Sequence, residues 1–523
     1  MQGLHHTQAH VVVVGGGPVG MLVAAELAAY GVEVVLFEPE ARVADWPKAT
    51  TLHARAVQSL ARRGHLPTAA VAPAGAAGSG AFHFAGMPGL LIEAPETEPQ
   101  PILKCPQAEL ERRFEERARA AGARILREHR VTEVVQEADG VRVTADGPRG
   151  TIACTAAYAV GADGARSTVR ERTGIACDTQ PATVASLMGT VTVTDPDSLA
   201  QGWLRTERGW IAAKRDAEGR MHIRTLDCAG AHADRQLPPT LEEVRREVSR
   251  IVGHDVAMED GRWLSRFSDV SRLARTFRQG RVFLAGDAAH VHFPIGGQGL
   301  STGVLDALNL SWKLALAVRG TAAPELLDTY DAERRPAAGR VVENTRAQLA
   351  LMRPGPESDA LRSVFTEVLA ADGGRRLLGG MISAQDTVLP AGAGRPSPGA
   401  GTFLRNVALH TESGDTDVIG LLRDGRPLLL LLGERGAAFE DEARSWGQTL
   451  YVVRARRASD VPYDALLVRP DGYIAWTPGA TGLSAALSGY VVDGAGAASG
   501  ARTAVQPGRP ANSSSSAALR ASA

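Results

Sequence analysis

Residues 284–299, LAGDAAHVHFPIGGQG, gather groups suited to touching something other than protein. A lone acid, Asp287, follows Gly286. Two histidines, His290 and His292, alternate with apolar residues. Then Pro294, Gly296, Gly297, Gln298, Gly299 and Leu300 lead into an apolar run. Glycine weakens regular structure, so it marks close backbone approach or an unusual dihedral. The residue types point to a flat, partly anionic group lying against this loop. His290 and His292 occupy alternate positions of a buried segment, where structural or hydrogen-bonding roles suit them better than catalysis.

A second cluster opens the chain. Val11–Val14 are continuous and β-branched, as in a strand buried on both faces. Gly15, Gly17 and Gly20 make G-x-G-x-x-G, and Pro18 suits the first turn of a helix. Val34–Phe37 form the next strand, and Glu38 closes it 23 residues after Gly15. Strand, glycine turn, helix, strand and acid together are the context of the dinucleotide fingerprint. Its glycines admit a pyrophosphate, its helix N-terminus offers N–H donors, and Glu38 accepts hydrogen bonds from a ribose diol. An acid there disfavours a 2′-phosphate, leaving FAD or NAD as the tightly held nucleotide. A third cluster, VGADGARSTVRERTG, places Asp163 and Gly164 between a strand and a helix. Alone it reads as a turn.

Several elements must position these loops. LHARAVQSLARR (52–63) has an amphipathic helical pattern, and His53 and Arg55 suit either a cavity or a surface helix. Residues 105–122 form another helix, with strands at 131–135, 141–144 and 157–160. Residues 185–268 alternate as strands around one helix, 241–252, which predicts an inserted antiparallel sheet roofing the site. Trp203, Trp210, Met221, Trp263 and Phe267 supply apolar surface suited to a polycyclic aromatic. A strand at 282–285 precedes a helix at 300–318, with Val304, Leu308, Ser311, Leu314 and Ala315 on one stripe. A helix follows at 325–349. Past residue 390, PAGAGRPSPGAG is a linker. Beyond it come strands at 428–432 and 450–453, a helix near 440–446, and two strands around the Pro-Asp-Gly turn of ALLVRPDGYIAWT. The last 30 residues are low-complexity and expected to be disordered.

Composition narrows the function. The chain has 523 residues, 44% hydrophobic, with net charge −1, which gives no electrostatic case for nucleic acid or an acidic membrane. Only four lysines occur among 57 basic residues. Four cysteines form no CxxC and no metal-ligand spacing, so no metal is expected and the thiols read as reduced, in a cytoplasmic protein. No signal peptide is visible and no run of about 18 apolar residues spans a membrane.

The three glycine–acid clusters, in order and spacing, resemble the single-component FAD-dependent aromatic hydroxylases related to para-hydroxybenzoate hydroxylase, over about residues 10–350. LHARAVQSLARRG, LLDTYDAERRP and LLVRPDGYIAW resemble the polyketide-tailoring subgroup. This includes anhydrotetracycline, angucycline and aklavinone hydroxylases and the premithramycin-type Baeyer–Villiger enzyme. The resemblance implies an α/β fold: a Rossmann-like FAD-binding domain (8–180 and 268–350), an inserted antiparallel substrate domain (181–267), and a helical segment and linker (351–398). It also implies a thioredoxin-like domain without CxxC (399–494) and a disordered tail (495–523). Asp287 is implied to hydrogen-bond the flavin ribityl chain. The loop Pro294–Leu300 would lie beside the isoalloxazine, with N–H groups toward its N1/O2 edge. Asp163 and Gln107 would contact the cofactor, and Lys48 stands where arginine is usual. Ser301 replaces a usual asparagine and Phe293 a common proline. No side chain is singled out as catalytic: the implied chemistry is the flavin's. NADPH or NADH reduces FAD, O₂ gives the C4a-hydroperoxide, and oxygen passes to an aromatic polyketide. Baeyer–Villiger oxygenation, oxidative inactivation of an aromatic antibiotic, and an FAD protein without oxygenase activity stay open. The implied assembly is a monomer or homodimer.

Overall fold

The computed structural model describes residues 5–46, 48–67, 70–72, 78–231, 237–390, 397–446, 449–456, 458 and 460–492. Half of the glycine–proline linker, residues 391–396, and the C-terminal tail named above lie outside these residues. The fold is mixed α/β.

Val11–Val14 are at most 4% exposed, because their strand is central in a sheet covered on both faces. Five strands run parallel in the order Val282–Leu284, Gly150–Gly161, His5–Val14, Val34–Glu38, Arg124–Arg127. The chain first builds outward from His5–Val14 on one side, then returns to build on the other. Connections therefore diverge on either side of His5–Val14 and Gly150–Gly161, which opens a crevice at the carboxyl ends of the strands. All three glycine–acid loops leave the sheet at this edge, after Val14, Gly161 and Leu284. The strand expected at 157–160 is the end of a longer one, whose first half pairs antiparallel with Val141–Gly147.

A five-stranded antiparallel sheet covers the crevice, in the order Gly202–Thr206, Gly209–Arg215, Met221–Asp227, Ala185–Val193, Met258–Ser268. The helix Leu241–Val252 buries Val244, Val248 and Ile251 against one face. Strand alternation decides the rest. Leu187, Ile211, Met221 and Ile223 pack under that helix. Met188, Arg224, Ser265 and Phe267 border the crevice.

Two helical readings are corrected. Residues 52–63 are no surface helix: Thr51–His53 form a short strand, and the helix Ala54–Arg62 that follows is buried throughout. Its arginines find their partners inside the protein, although Nε of both Arg55 and Arg62 is buried without one. Arg62 pairs with Glu98 at 2.6 Å and donates to Leu404 O, while the neighbouring Arg63 pairs with Glu26 at 2.9 Å and donates to Leu422 O. The C-terminal helix Val418–Leu421 and the chain around Leu404 and Leu422 pack over what would be the polar side. The helix Gly299–Val318, read as one apolar stripe, is buried on all sides from Leu300 to Leu316.

The C-terminal sheet has six strands, with the wholly apolar Leu428–Leu432 inside it, parallel to Tyr451–Ala455 and antiparallel to Ala465–Val468. The turn after Ala465–Val468 anchors it. Arg469 donates to Glu333 at 2.7 and 2.8 Å and to Asp471 at 2.6 Å. Lys313 Nζ donates to Glu333 at 2.8 Å, and Asn309 bridges both acids. Removing one partner from such a buried network costs about 3–5 kcal/mol. No helix among the described residues is long and apolar enough to cross a membrane.

Candidate active site

The crevice and the roof sheet enclose a cleft of about 1200 Å³. Twelve of the sixteen residues expected at the cofactor site meet in its wall. Gly15, Gly17, Pro18 and Glu38 come from the first loop. Lys48, Gln107 and Asp163 come from the flanks, and Asp287, Pro294, Gly297, Gly299 and Leu300 from the third loop. Gly20, Gly286, Gly296 and Gln298 do not face the cleft.

The first loop's glycines divide by what surrounds them. A Cβ on Gly15 would sit 2.4 Å from Ala162 O, and one on Gly20 would sit 1.9 Å from Gly15 O. Both are dictated by protein packing, and Gly15 also has a φ of +102°. Gly17 alone of the three has nothing within 4 Å of a Cβ. It caps the helix Pro18–Ala29 with extended backbone, so the unpaired N–H groups of the first turn face the cleft. Glu38 is held by two backbone donors, Gly16 N at 2.5 Å and Glu40 N at 2.9 Å.

The third loop is shaped by dihedrals instead. Gly286, Gly296 and Gly297 have φ of +60°, +75° and +61°, where a Cβ is penalised. Asp287 is exposed within an otherwise buried run, and its carboxylate has no partner among the described residues. Behind it lies a buried cluster the sequence reading missed. Asp306 accepts from Gly286 N at 3.0 Å, His290 Nε2 at 2.7 Å and Arg334 Nε at 2.9 Å. Its carboxyl is held below the usual range: His290 and Arg334 outweigh the opposing effect of burial. His290 thus holds the backbone that presents Asp287. The signal was there: Asp306, Asn309 and Lys313 are polar residues at helical spacing in an otherwise apolar helix.

His53, left open above, is fully buried and grips the same loop. Its Nε2–H donates to Gly296 O at 2.8 Å and its backbone N–H to Ser301 Oγ at 3.0 Å. Ser301, one of the two departures, therefore has a local task. Burial pushes the His53 imidazole down to about 4, so it is neutral. Gln298 is buried behind the loop and accepts from Asn344 at 2.7 Å. His292 lines the cleft, with Nδ1 bonded to Phe293 O at 2.9 Å. Phe293, the other departure, is buried beside Phe267.

Asp163 borders the cleft, yet its carboxylate is engaged internally by Ser167 Oγ at 2.5 Å and Val169 N at 3.0 Å. Of the four roof aromatics and one methionine expected to face a ligand, only Phe267 lines the cleft. Met221 points under the roof helix, Trp210 is buried with its Nε1 donating to Met352 O, and Trp203 is 42% exposed.

The chain that builds this site matches two known families. Residues 8–345 match the family described as FAD binding domain, and residues 397–493 match the aromatic-ring hydroxylase C-terminal family. The chain belongs to the FAD-dependent aromatic-ring hydroxylases. It is a flavoprotein monooxygenase. The chain is similar to a 12-dehydrotetracycline 5-monooxygenase/anhydrotetracycline 6-monooxygenase of Streptomyces rimosus, at 38% identity over 91% of this chain and 97% of that one. It is similar to a rifampicin monooxygenase of Streptomyces venezuelae, at 36% identity over 89% and 95%. An aromatic hydroxylase from angucycline biosynthesis superimposes with a TM-score of 0.84 at 33% identity, over 92% and 98% of the two chains.

Proposed function

We propose that this monooxygenase hydroxylates a polycyclic aromatic polyketide in antibiotic biosynthesis, using FAD, O₂ and NADPH or NADH. The carrying observation is the continuous cleft of about 1200 Å³ that runs from the fingerprint loop to the roof sheet. A pocket for one drug-sized ligand is about 300–1,000 Å³, so this one suits a nucleotide and a second flat molecule together.

The residues present fit FAD. Gly17 leaves open space where a pyrophosphate could approach, and the adjoining helix N-terminus supplies donors and a positive dipole end. Asp287 is an unpartnered acid suited to hydroxyls of the ribityl chain. Glu38 suits the ribose, with Lys48 and Gln107 on the flank. When bound, FAD supplies hydride acceptance from the nicotinamide and activation of O₂. The protein holds and shields. The N-terminus of Gly299–Val318 directs its positive end toward Pro294–Leu300, where negative charge on a reduced flavin is stabilised. Met188, Phe267 and Phe293 keep water from the reacting region. The architecture implied is a Rossmann-like FAD domain with an inserted substrate sheet, and a thioredoxin-like C-terminal domain serving structure. The similarity to a rifampicin monooxygenase favours one second reading, oxidative inactivation of an aromatic antibiotic.

Asp287→Ala tests the assignment. It should purify folded, with an unchanged circular dichroism spectrum, and lose most of its FAD on gel filtration. Full flavin occupancy would remove Asp287 from the site. Turnover of tri- and tetracyclic polyketides, with products read by mass and NMR, tests the reaction. Addition of one oxygen on an aromatic carbon supports hydroxylation, whereas ring expansion to an ester or lactone shows Baeyer–Villiger chemistry. NADPH consumption without any oxygenated product would refute both.

A further inference from the structure

Three cations stand together on the roof side of the cleft. Arg224 lies on the cleft face of the roof sheet, opposite Met188 on one neighbouring strand and Ala212 on the other. It lines the cleft and makes no hydrogen bond or ion pair among the described residues. Its side chain is exposed to the open cleft, and the desolvation it meets at the cleft wall, with no carboxylate acting against it, pulls its guanidinium below the ordinary arginine range. Lys214 lies opposite His222, two residues along the strand from Ala212, so it shares Arg224's face. Lys104 comes from outside the sheet, and its Nζ donates to Thr51 Oγ1 at 2.7 Å at the cleft wall. Burial, and then the charges of Lys214 and Arg224, pull its ammonium below the ordinary lysine range. The nearby His53 and His83 are both pushed down to about 4, chiefly by burial, so they are neutral and add no further positive charge.

The contrast with other cations of the same sheet is direct. Arg266 is paired with Glu243 at 2.7 Å, and Arg220 with Asp216 at 3.0 Å. The chain also uses arginine for nearly every basic position. Of its four lysines, Lys48 lines the cleft and Lys104 and Lys214 stand beside it, while only Lys313 lies elsewhere. All three side chains are exposed along the open cleft wall, and like charges gathered there disfavour one another until an anion enters.

We propose that Arg224, with Lys214 and Lys104, recognises an ionised oxygen of the aromatic substrate, that of an acidic phenol or an enolised β-dicarbonyl. This rests on the reading of the substrate as an aromatic polyketide. The phenol O–H bond breaks heterolytically, its electron pair stays on oxygen beside the cations, and the proton leaves to water. The phenolate pushes electron density onto its ortho and para carbons, which makes them better acceptors of an electrophilic oxygen. The patch is thus a specificity and activation device for electron-rich, acidic rings. The phosphates of the reduced nicotinamide carry the same anionic chemistry and are the competing source.

The test uses the FAD-loaded enzyme, 1,2-dihydroxyanthraquinone and its 1,2-dimethoxy ether, with phenol ionisation read from the visible spectrum of the bound dye across pH. On the wild type the bound phenol should ionise at least one pH unit lower than in solution. In Arg224→Gln and Lys214→Gln that shift should shrink by half or more, with affinity at pH 7 at least tenfold weaker. Arg224→Lys should recover part of both, and the dimethoxy ether should bind all four proteins alike. Circular dichroism and FAD content matching wild type separate these effects from misfolding, and NADPH affinity should be unchanged. The proposal is overturned if the wild type leaves the phenol's ionisation unshifted, or if phenol and ether lose affinity equally. It is also overturned if NADPH binding weakens tenfold while the phenol's does not. A protein that shifts the phenol but oxygenates no aromatic would retain the patch and lose the proposed reaction. One that oxygenates aromatics without shifting the phenol would do the reverse.

Discussion

Two glycine loops face each other across the cleft, and their glycines exist for different reasons. In the first, protein atoms stand at 2.4 and 1.9 Å from where a Cβ would go on Gly15 and Gly20, a packing demand that Gly15 carries on top of a φ of +102°. In the third, Gly296 and Gly297 have no protein atom closer than 3.1 and 3.7 Å, and it is φ that selects them. The first loop is a packing joint between strand and helix. The third is a shaped edge held from behind by His53 and Asp306. Two motifs that look alike in sequence should therefore fail differently.

The largest effect belongs to the packing joint. Gly20→Ala forces the helix Pro18–Ala29 away from the strand His5–Val14 at the centre of the sheet. Overpacking against backbone should cost about 3 kcal/mol or more, seen as a large fall in Tm of the FAD-free protein. A stable variant would show that the joint yields.

His53 sharpens the contrast through pH. It stays neutral in the folded protein down to about 4, while an unfolded histidine ionises near 6.5. Its contribution is therefore full above pH 6.5 and is lost as pH falls toward 4. The shift is worth about 2–3 kcal/mol at the acid end. His83 loses its contribution over the same window. His53→Gln can still donate to Gly296 O but does not titrate. Denaturant unfolding should show the wild type losing about 2–3 kcal/mol more than His53→Gln between pH 7 and 4. Equal slopes would mean that this histidine does not hold the third loop.

Gly297→Val comes next. The left-handed dihedral penalises a Cβ by about 1–2 kcal/mol, with only ordinary contacts to His53 and Thr51. Stability should fall modestly while flavin absorbance shifts and NADPH oxidation is lost or diverted to H₂O₂. Coupled hydroxylation at wild-type efficiency would sink the reading of this loop as the flavin edge.

How much of this was legible follows from the same contrast. Backbone needs print themselves in sequence as glycine and proline, so the loops and the strands feeding them could be read. Leu428–Leu432 and Leu241–Val252 appear at the residues expected. Side-chain environments do not print themselves. The amphipathic pattern of 52–63 spoke of a surface, but C-terminal segments far along the chain cover it and offer carbonyls to its arginines, whose charges pair with Glu98 and Glu26. Met221 and Trp210 had the composition of a ligand roof, and strand parity and neighbouring core placed them elsewhere. Asp306 was hidden by the apolar residues around it, although a lone acid in such a helix must find a partner.

The smallest expected change in stability is at Gly17. It is the one fingerprint glycine without a protein reason. Its φ of −70° is open to any residue, and nothing lies within 4 Å of a Cβ. If the first loop were only a packing joint, Gly17→Ala should be silent. If backbone must come close to a pyrophosphate here, the methyl group stands where the phosphate would go. The FAD-free variant should match wild-type unfolding within about 0.5 kcal/mol, since an N-cap glycine-to-alanine change costs little beyond a weak capping preference. FAD binding, followed by flavin fluorescence quenching, should weaken about tenfold or more. A variant that binds FAD as tightly as wild type would leave the first loop as architecture alone, and would move the burden of holding the nucleotide to Glu38, Asp287 and the helix N-terminus.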